Sequence, residues 1–420
     1  MLGYLKLTDI GPAAKIELDL APRANLLTGD NGLGKSFLLD IAWWALTRSW
    51  PAEPARPVKG AGLRPQIIFG LRSGDGEASH RGFYYSYQEQ TWPLEEVEAP
   101  KADLTLYARI DGSFSVWDPC RNYWPPEPRG PGPRTQAAFH FSRREVWEGL
   151  RSGDEVLCKG LIDDWVLWQR SGDEPFEQLR RVLEHLSPAE QEVLVPGLPT
   201  RVKLTDVRDV PTLRMPYGLV PLTLASAAVK RIVAFAYLLV WAWQEHLRAC
   251  ELLNREPERR IVFLIDELEA HLHPRWQRVI LPALLEVAAT LTESDQTEIQ
   301  LIASSHAPMV LASMEPIFDA ERDALFVLDL VAGQVEISRQ LWRPRGDASA
   351  WLTSEIFDLG EARSLPAERA IRKALDAIDR PDLPLEQMQQ IHRELREVLK
   401  DTDPFWVRWR YRAGLAGIEP

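Results

Sequence analysis

Three short stretches of this chain carry side chains whose types and spacing suit phosphate chemistry. The first has the spacing G-x-x-x-x-G-K-S of a phosphate-binding P-loop, between a strand pattern over 24–28 and an apolar helix pattern over 37–47. Backbone N–H groups of such a loop and the following helix N-terminus attract a triphosphate. The residues expected to contact it are Gly29, Asp30, Asn31, Gly32, Leu33, Gly34, Lys35, Ser36 and Phe37.

Two members of this loop have side chains with a specific role. Lys35 is predicted to reach the β- and γ-phosphates of ATP, and Ser36 to hold Mg²⁺ through its hydroxyl. The alternative is a glycine-rich turn that only caps a helix.

The second stretch is a continuous apolar strand pattern over 261–265 that ends in two acids, Asp266 and Glu267. Carboxylates at the carboxyl end of a parallel strand face the ligand crevice. Asp266 is therefore predicted to bind Mg²⁺ directly or through water, and Glu267 to polarise the attacking water as a general base. The alternative is that both acids only cap the helix predicted from Pro274.

The third stretch is a strand pattern over 298–304 followed by His306. Its strand is expected to deliver His306 to the same sheet edge, where the imidazole contacts the γ-phosphate and senses its presence. A structural histidine is the alternative. The predicted catalytic residues are thus Lys35, Glu267 and His306.

These motifs together resemble those of ATP-binding-cassette-type (ABC-type) ATPases, in the branch with the RecF, Rad50, SMC and OLD proteins. The resemblance rests on the P-loop, on the run D-E-x-E-x-x-L-H-P from Asp266 to Pro274, and on His306. Leu268 departs from the family pattern, in which a proline usually follows the acids. The resemblance implies an α/β fold, namely an ABC-type ATPase head with a mostly parallel sheet core, an antiparallel β lobe and a helical insertion. It also implies ATP and Mg²⁺ as cofactors and assembly as a head-to-head homodimer or a higher oligomer.

The family also carries a signature of the form S-G-G or S-S-G-E-x-R, which caps the γ-phosphate bound to the other subunit. Ser226, Lys230 and Arg231 match it, whereas Ala227 and Ala228 replace the usual glycines. Alanine disfavours positive φ and close approach, so the composite site is expected to form weakly or to support slow turnover. The alternative is a core helix that begins with Ser226 as its N-cap.

The family further uses a glutamine that links Mg²⁺ to the attacking water. Gln88 and Gln90 follow a strand pattern over 82–87, and Gln90 is assigned this role. A surface glutamine is an equally open alternative.

The order of patterns divides the chain into four parts. A proline- and glycine-rich stretch over 124–135 marks one boundary. The parts are an ABC ATPase core over 1–50 and 201–342, a β-rich lobe over 51–135, a helical insertion over 136–200, and a C-terminal extension over 343–420.

Composition limits the choice of partners and compartment. The net charge is −12, so a nucleic-acid contact, which stays open, needs a local basic patch. The segment 405–412 interleaves aromatics with arginines and is one candidate, unless its aromatics pack in a core. The three cysteines form no CxxC pair, which fits a reducing compartment and predicts no zinc site. Without a signal peptide or an uninterrupted membrane-spanning pattern, a cytoplasmic protein is expected.

The sequence shows no long coiled coil, and after His306 no acid constellation of the metal-dependent nuclease type. The arrangement is similar to the stand-alone PtuA-type ATPase subunits of bacterial anti-phage systems (Septu and certain retrons), which pair with a separate nuclease. The first hypothesis is therefore an ATPase that regulates a partner effector, a nuclease in anti-phage defence, by nucleotide-dependent assembly. The alternatives are a RecF-like DNA-repair ATPase that binds DNA directly, and a slow-turnover nucleotide-locked scaffold.

Overall fold

The chain forms two compact units, Met1–Pro344 and Arg345–Pro420. The computed structural model describes residues 1–58, 64–72, 80–94, 102–122, 138–188, 192–292, 294, 296–380, 382–415 and 417–418.

The first unit is a mixed α/β structure. Its strands are β1 (Leu2–Ile10), β2 (Ala13–Asp19), β3 (Ala24–Gly29), β4 (Gln66–Leu71), β5 (His80–Tyr84), β6 (Leu104–Ala108), β7 (Phe114–Trp117), β8 (Phe139–Phe141), β9 (Leu150–Ser152), β10 (Glu155–Cys158), β11 (Val195–Arg201), β12 (Asp209–Met215), β13 (Gly218–Pro221), β14 (Arg260–Ile265), β15 (Glu298–Ser304), β16 (Asp323–Val331) and β17 (Gln334–Gln340). Its helices are α1 (Lys35–Thr47), α2 (Arg143–Glu148), α3 (Leu161–Ser171), α4 (Glu174–His185), α5 (Ala227–Leu253), α6 (Pro274–Gln277), α7 (Ile280–Thr292) and α8 (Pro308–Met314).

An eight-stranded sheet in the order β17-β16-β3-β15-β14-β6-β7-β8 forms the centre of this unit. The five strands from β16 to β6 are parallel, and antiparallel strands extend the sheet on both sides. Nearly every residue of β14 and β15 is buried, as expected for strands covered on both faces. The predicted α/β fold with a mostly parallel sheet core is confirmed. Parallel strands end on the same side of a sheet. The chain therefore leaves all of these strands at one edge, namely β3, β15, β14 and β6.

A second sheet, in the order β2-β1-β4-β5, is entirely antiparallel. The alternating pattern of β2 places Ile16 and Leu18 in the core and their neighbours at the surface, as is typical of a half-buried strand. Helix α1 contacts strands of both sheets and buries Trp43 and Trp44 in the shared core. This core therefore fixes the helix that follows the P-loop.

Strands β6 and β7 lie in the central sheet, although the sequence placed them in the β-rich lobe over 51–135. They form a hairpin across Asp111, Gly112 and Ser113. However, β6 also pairs in parallel with β14, and all of its residues are buried. A strand pattern gives the faces of a strand but not its neighbours, so the sequence could not assign these strands to a sheet.

The segment over 136–200 is less helical than the sequence indicated. Helices α2, α3 and α4 are present, but a hairpin of β9 and β10 lies between α2 and α3. Strand β11 also joins β12 and β13 in a three-stranded antiparallel sheet.

Helix α5 spans 27 residues and is buried over most of its length. It begins after Ser226 and ends at Asn254, whose left-handed backbone stops the helix. None of the helices in the described part of the chain is long and apolar enough to span a membrane.

The second unit consists of helices around a small core of its own. They are α9 (Ala348–Leu352), α10 (Leu365–Ile378), α11 (Leu385–Val398) and α12 (Phe405–Leu415). Phe405, Trp406 and Trp409 are buried in this core, whereas Arg408 and Tyr411 are exposed. Most aromatics of the segment 405–412 therefore serve packing rather than an open stacking surface.

We expect Trp44→Ala to destabilise the first unit strongly. Trp44 is 1% exposed and lies against Trp50, Phe69, Phe83 and Trp92, so truncation leaves a large cavity. The free energy of unfolding should fall by about 3–5 kcal/mol, measured by urea denaturation. The fully exposed Leu204 gives the control Leu204→Ala, with an expected change within about 0.5 kcal/mol. Equal stabilities would mean that this aromatic core does not hold the unit together.

Candidate functional site

The P-loop connects β3 to α1 at the carboxyl edge of the parallel strands. Gly29 has φ 126°, and a Cβ there would lie 2.1 Å from the backbone oxygen of Leu328 in β16. Gly34 has φ 99°, and its Cβ would lie 2.5 Å from Cγ of Pro12, in the turn between β1 and β2. Only glycine combines these backbone angles with such close approach. Close packing against β16 and against the turn between β1 and β2 therefore fixes the conformation of the loop.

Lys35 is held at the base of this loop. Only 5% of it is exposed, and its Nζ donates hydrogen bonds of 2.8 Å to the carbonyl oxygens of Gly29 and Asp30. Burial lowers the pKa of Lys35, while the carboxylates of Glu267 and Asp266 oppose that shift. A triphosphate offers the ammonium charged acceptors that are stronger than these neutral carbonyls.

Asp266 and Glu267 follow β14 and are fixed by the strands on both sides. The hydroxyl of Ser304, at the end of β15, donates to Oδ1 of Asp266 at 2.7 Å and accepts from the backbone N–H of Glu267 at 2.8 Å. On the other side, the backbone N–H of Asp266 donates to the carbonyl of Ala108, at the end of β6. Asp266 is 3% exposed, whereas Ser36 is exposed. A carboxylate and a hydroxyl are the oxygen ligands that Mg²⁺ prefers, so these residues fit that ion.

Glu267 adopts φ 50°, a backbone conformation that costs a non-glycine residue about 1 kcal/mol or more. Its Oε1 lies 2.9 Å from Nε2 of His306, an ion-pair distance, although the imidazole is not aligned for a hydrogen bond. This contact holds the pKa of Glu267 below its usual value, against the opposing effect of burial. The carboxylate is therefore ionised at neutral pH, as a general base must be.

The loop that carries His306 is tied to both other motifs. The backbone N–H of Ser305 donates to the carbonyl of Leu27 in β3, and that of His306 donates to the carboxylate of Glu269. Three neighbouring strands thus deliver Lys35, Glu267 and His306 to one place. Ser304 and Glu269 were not predicted as site residues, although both lie within the motifs that identified the site.

Arg231 is a further residue that the site prediction left out. It lies in the second turn of α5 and donates to the backbone oxygens of Asp266 at 2.7 Å and Glu267 at 2.9 Å. Burial lowers the pKa of Arg231, and the nearby carboxylates of Asp266, Glu269 and Glu267 oppose that shift. The sequence did point to Arg231, because this residue lies in the segment that resembles the family signature. Through this side chain, the start of α5 is coupled to the acid pair.

Ser226 is the N-cap of α5. Its hydroxyl accepts from the backbone N–H of Val229 at 3.3 Å, which is the local role considered as the alternative. Ser226 and Ala227 are nevertheless exposed, so the helix start is accessible. A contact with nucleotide on a second subunit stays a prediction.

Gln90 lies away from the parallel strands in the topology. It is exposed in the turn closed by the bridge between Ser86 and Thr91, after β5 of the antiparallel sheet. In the described part of the chain, no hydrogen bond or ion pair joins Gln90 to the P-loop or the acid pair. On the side of β14 away from β15, the parallel neighbour is β6, which leads into Arg109 and Asp111 and not into Gln90.

Comparison with known proteins identifies one family model. Residues 217–312 match the model described as "AAA domain, putative AbiEii toxin, Type IV TA system". This range contains Ser226, Asp266, Glu267 and His306. The P-loop and this match together support a nucleotide-binding P-loop ATPase.

About four fifths of the chain also aligns with solved structures of SMC heads. The SMC head domain from Thermotoga maritima is 14% identical, with a TM-score of 0.39, over 81% of this chain and 99% of that one. An SMC head bound to the C-winged helix domain of ScpA is 13% identical, with a TM-score of 0.41, over 81% and 97%. An SMC head with an extended coiled coil, bound to the C-terminal domain of ScpA derived from Pyrococcus furiosus, is 10% identical, with a TM-score of 0.38, over 81% and 96%.

We expect Lys35→Ala to weaken ATP binding by about 10- to 100-fold, because the variant loses a charge-assisted hydrogen bond to the phosphates. Titration with a fluorescent ATP analogue measures the affinity. Lys203 is exposed, so Lys203→Ala serves as the charge-matched control with unchanged affinity. Tight binding retained in Lys35→Ala would refute the P-loop assignment.

We expect His306→Ala to move the acid limb of the ATPase pH profile to higher pH. The contact with His306 lowers the pKa of Glu267, so its removal raises that pKa and the base is protonated at less acidic pH. Initial rates across the acid range measure the shift. His80→Ala removes an exposed imidazole from β5 and should leave the limb in place. An unmoved limb in His306→Ala would show that His306 does not control the ionisation of Glu267.

Proposed function

We propose that this chain binds ATP with Mg²⁺ and hydrolyses it to ADP and phosphate at the carboxyl edge of the parallel strands. One observation carries the proposal: the Glu267 carboxylate lies 2.9 Å from His306 and close enough to Lys35 to affect its pKa. A carboxylate, an imidazole and an ammonium group thus lie near one another. A phosphate-binding lysine and a residue that polarises or positions water are parts that recur in phosphoryl-transfer sites.

In this proposal each side chain has a defined task. Lys35 binds the β- and γ-phosphates, while Ser36 and Asp266 are the residues that would hold Mg²⁺, which neutralises phosphate charge when bound. Glu267 accepts a proton from water as the water oxygen bonds to the γ-phosphorus. The bond from that phosphorus to the bridging oxygen breaks, and ADP leaves. His306 orients Glu267 and contacts the γ-phosphate.

We further propose that ATP joins two copies of the chain and that this assembly regulates a partner effector, a nuclease in bacterial anti-phage defence. The coupling of α5 to the acid pair through Arg231 supports the first step, because the accessible start of α5 is then linked to the hydrolytic residues. A helix N-terminus also attracts anions such as a γ-phosphate. The family description of residues 217–312 names a toxin of a TA system, which supports a partner protein.

The decisive variant is Glu267→Gln, which keeps the size of the side chain and removes the base. We expect wild type to release phosphate and the variant to be slower by about 100-fold or more, with ATP binding retained. Glu286 is exposed on α7, so Glu286→Gln is the matched control with the wild-type rate. Equal, near-zero rates in wild type and Glu267→Gln would favour the nucleotide-locked scaffold instead.

The same variant tests assembly, since it should retain ATP. Sedimentation velocity should find Glu267→Gln as a dimer or larger with ATP and smaller with ADP. A size that does not respond to nucleotide would contradict the assembly step. Salt-sensitive DNA binding by the chain alone would favour the RecF-like alternative, whereas a nuclease gene beside this one would support the partner.

A further inference from the structure

Away from the P-loop, the fold brings together three side chains that are typical metal ligands. Cys120 follows β7, while His246 and Cys250 lie one turn apart in α5. The Sγ atoms of Cys120 and Cys250 are 3.2 Å apart, and Sγ of Cys250 is 3.4 Å from Nε2 of His246. All three residues are buried, and their ligand atoms lie within 4.8 Å of one another. The cysteines are 130 positions apart in sequence, which is why their spacing predicted no zinc site.

Asp118 provides a second, independent observation at this cluster. Its Oδ1 lies 2.8 Å from Nδ1 of His246, and its Oδ2 has no hydrogen-bond partner among the residues that the structure describes. Asp118 is only 3% exposed, and a buried carboxylate oxygen without a partner is unfavourable. A nearby cation would offset that cost.

The hydrogen bonds of His246 define which nitrogen faces a ligand. Nε2 accepts from the backbone N–H of Glu258 at 2.9 Å, so the ring proton lies on Nδ1 and is donated to Asp118. A carboxylate on the far nitrogen is the usual support of a metal-binding histidine. Nε2 therefore carries the lone pair, and a metal would replace the Glu258 N–H as its partner.

We propose that Cys120, His246 and Cys250 bind a Zn²⁺ ion. In a tetrahedral zinc site, bonds of about 2.3 Å to sulfur and 2.0 Å to nitrogen place two sulfurs about 3.8 Å apart and sulfur and nitrogen about 3.5 Å apart. The distances here are 3.2 and 3.4 Å, so zinc requires the sulfurs to separate by roughly half an ångström. A disulfide of about 2.05 Å would require them to approach by more than 1 Å, and an oxidant besides.

The donor set also favours zinc over harder ions, because thiolate and imidazole are zinc ligands, and a set of two cysteines and one histidine leaves the fourth position to water or another ligand. Zinc binds cysteine as the thiolate, so each cysteine ligand gives up its proton when zinc binds. Zinc affinity should accordingly increase with pH.

The bound ion would join the end of β7 to the last turns of α5. The same helix carries Arg231 near its other end, in contact with Asp266 and Glu267. Zinc would thus fix the helix that the acid pair depends on, without itself touching the residues proposed for hydrolysis.

The test is the metal content of the whole 420-residue chain. After purification with Zn²⁺ and gel filtration, mass spectrometry of the metals should find about one equivalent of zinc per chain in wild type. Cys120→Ser and Cys250→Ser should lose it. The third cysteine supplies the matched control: Cys158 is buried but contacts Tyr237, so Cys158→Ser should keep the zinc.

A second measurement on wild type does not depend on the folding of any variant. Zinc is removed with a chelator and Co²⁺ is added, and a thiolate-to-cobalt charge-transfer absorption should appear. Wild type that takes up neither ion would overturn the proposal. In that case an intact mass lower by two hydrogens would indicate a disulfide, and an unchanged mass a metal-free thiol pair. Zinc retained in both Cys120→Ser and Cys250→Ser would place the metal elsewhere and overturn it equally.

Discussion

The proposed site depends most directly on the two hydrogen bonds of the Ser304 hydroxyl. This hydroxyl bonds the Asp266 carboxylate and the Glu267 backbone N–H at once, and it joins the ends of β15 and β14. This bridge is possible because the strands are parallel and in register, so that their carboxyl ends meet. The same parallel alignment places β3, and the P-loop that follows it, beside β15. The position of each reactive group follows from strand order.

Electrostatics within the site reinforce this geometry. Lys35, Arg231 and His306 surround acids whose charges would otherwise repel one another. The contact with His306 keeps Glu267 ionised, whereas burial favours the neutral carboxyl group. The positive φ of Glu267 adds backbone strain. A strained, half-buried carboxylate held by specific partners is typical of functional positions. In the proposed function, this strain would accompany a carboxylate that accepts a proton from water.

Helix α5 connects features that are distant in sequence. Arg231 near its start reaches the acid backbone, and His246 and Cys250 near its end face Cys120 beyond β7. A rigid helix transmits displacement along its length, so a contact at the exposed start of α5 would be felt at the acid pair. The proposed zinc site would anchor the opposite end and leave the start as the responsive part.

The sequence alone determined the features that depend on neighbours along the chain. The glycines at 29 and 34 and the buried strands that precede Asp266 and His306 are all short-range patterns. For Ser226 the sequence offered the N-cap only as the alternative to a nucleotide contact. Only the tertiary structure decided which strands are adjacent. It placed β6 beside β14, left Gln90 after an antiparallel strand, and brought Cys120 to Cys250. The physical reason is that periodicity specifies the faces of an element, whereas long-range pairing depends on packing of the whole chain.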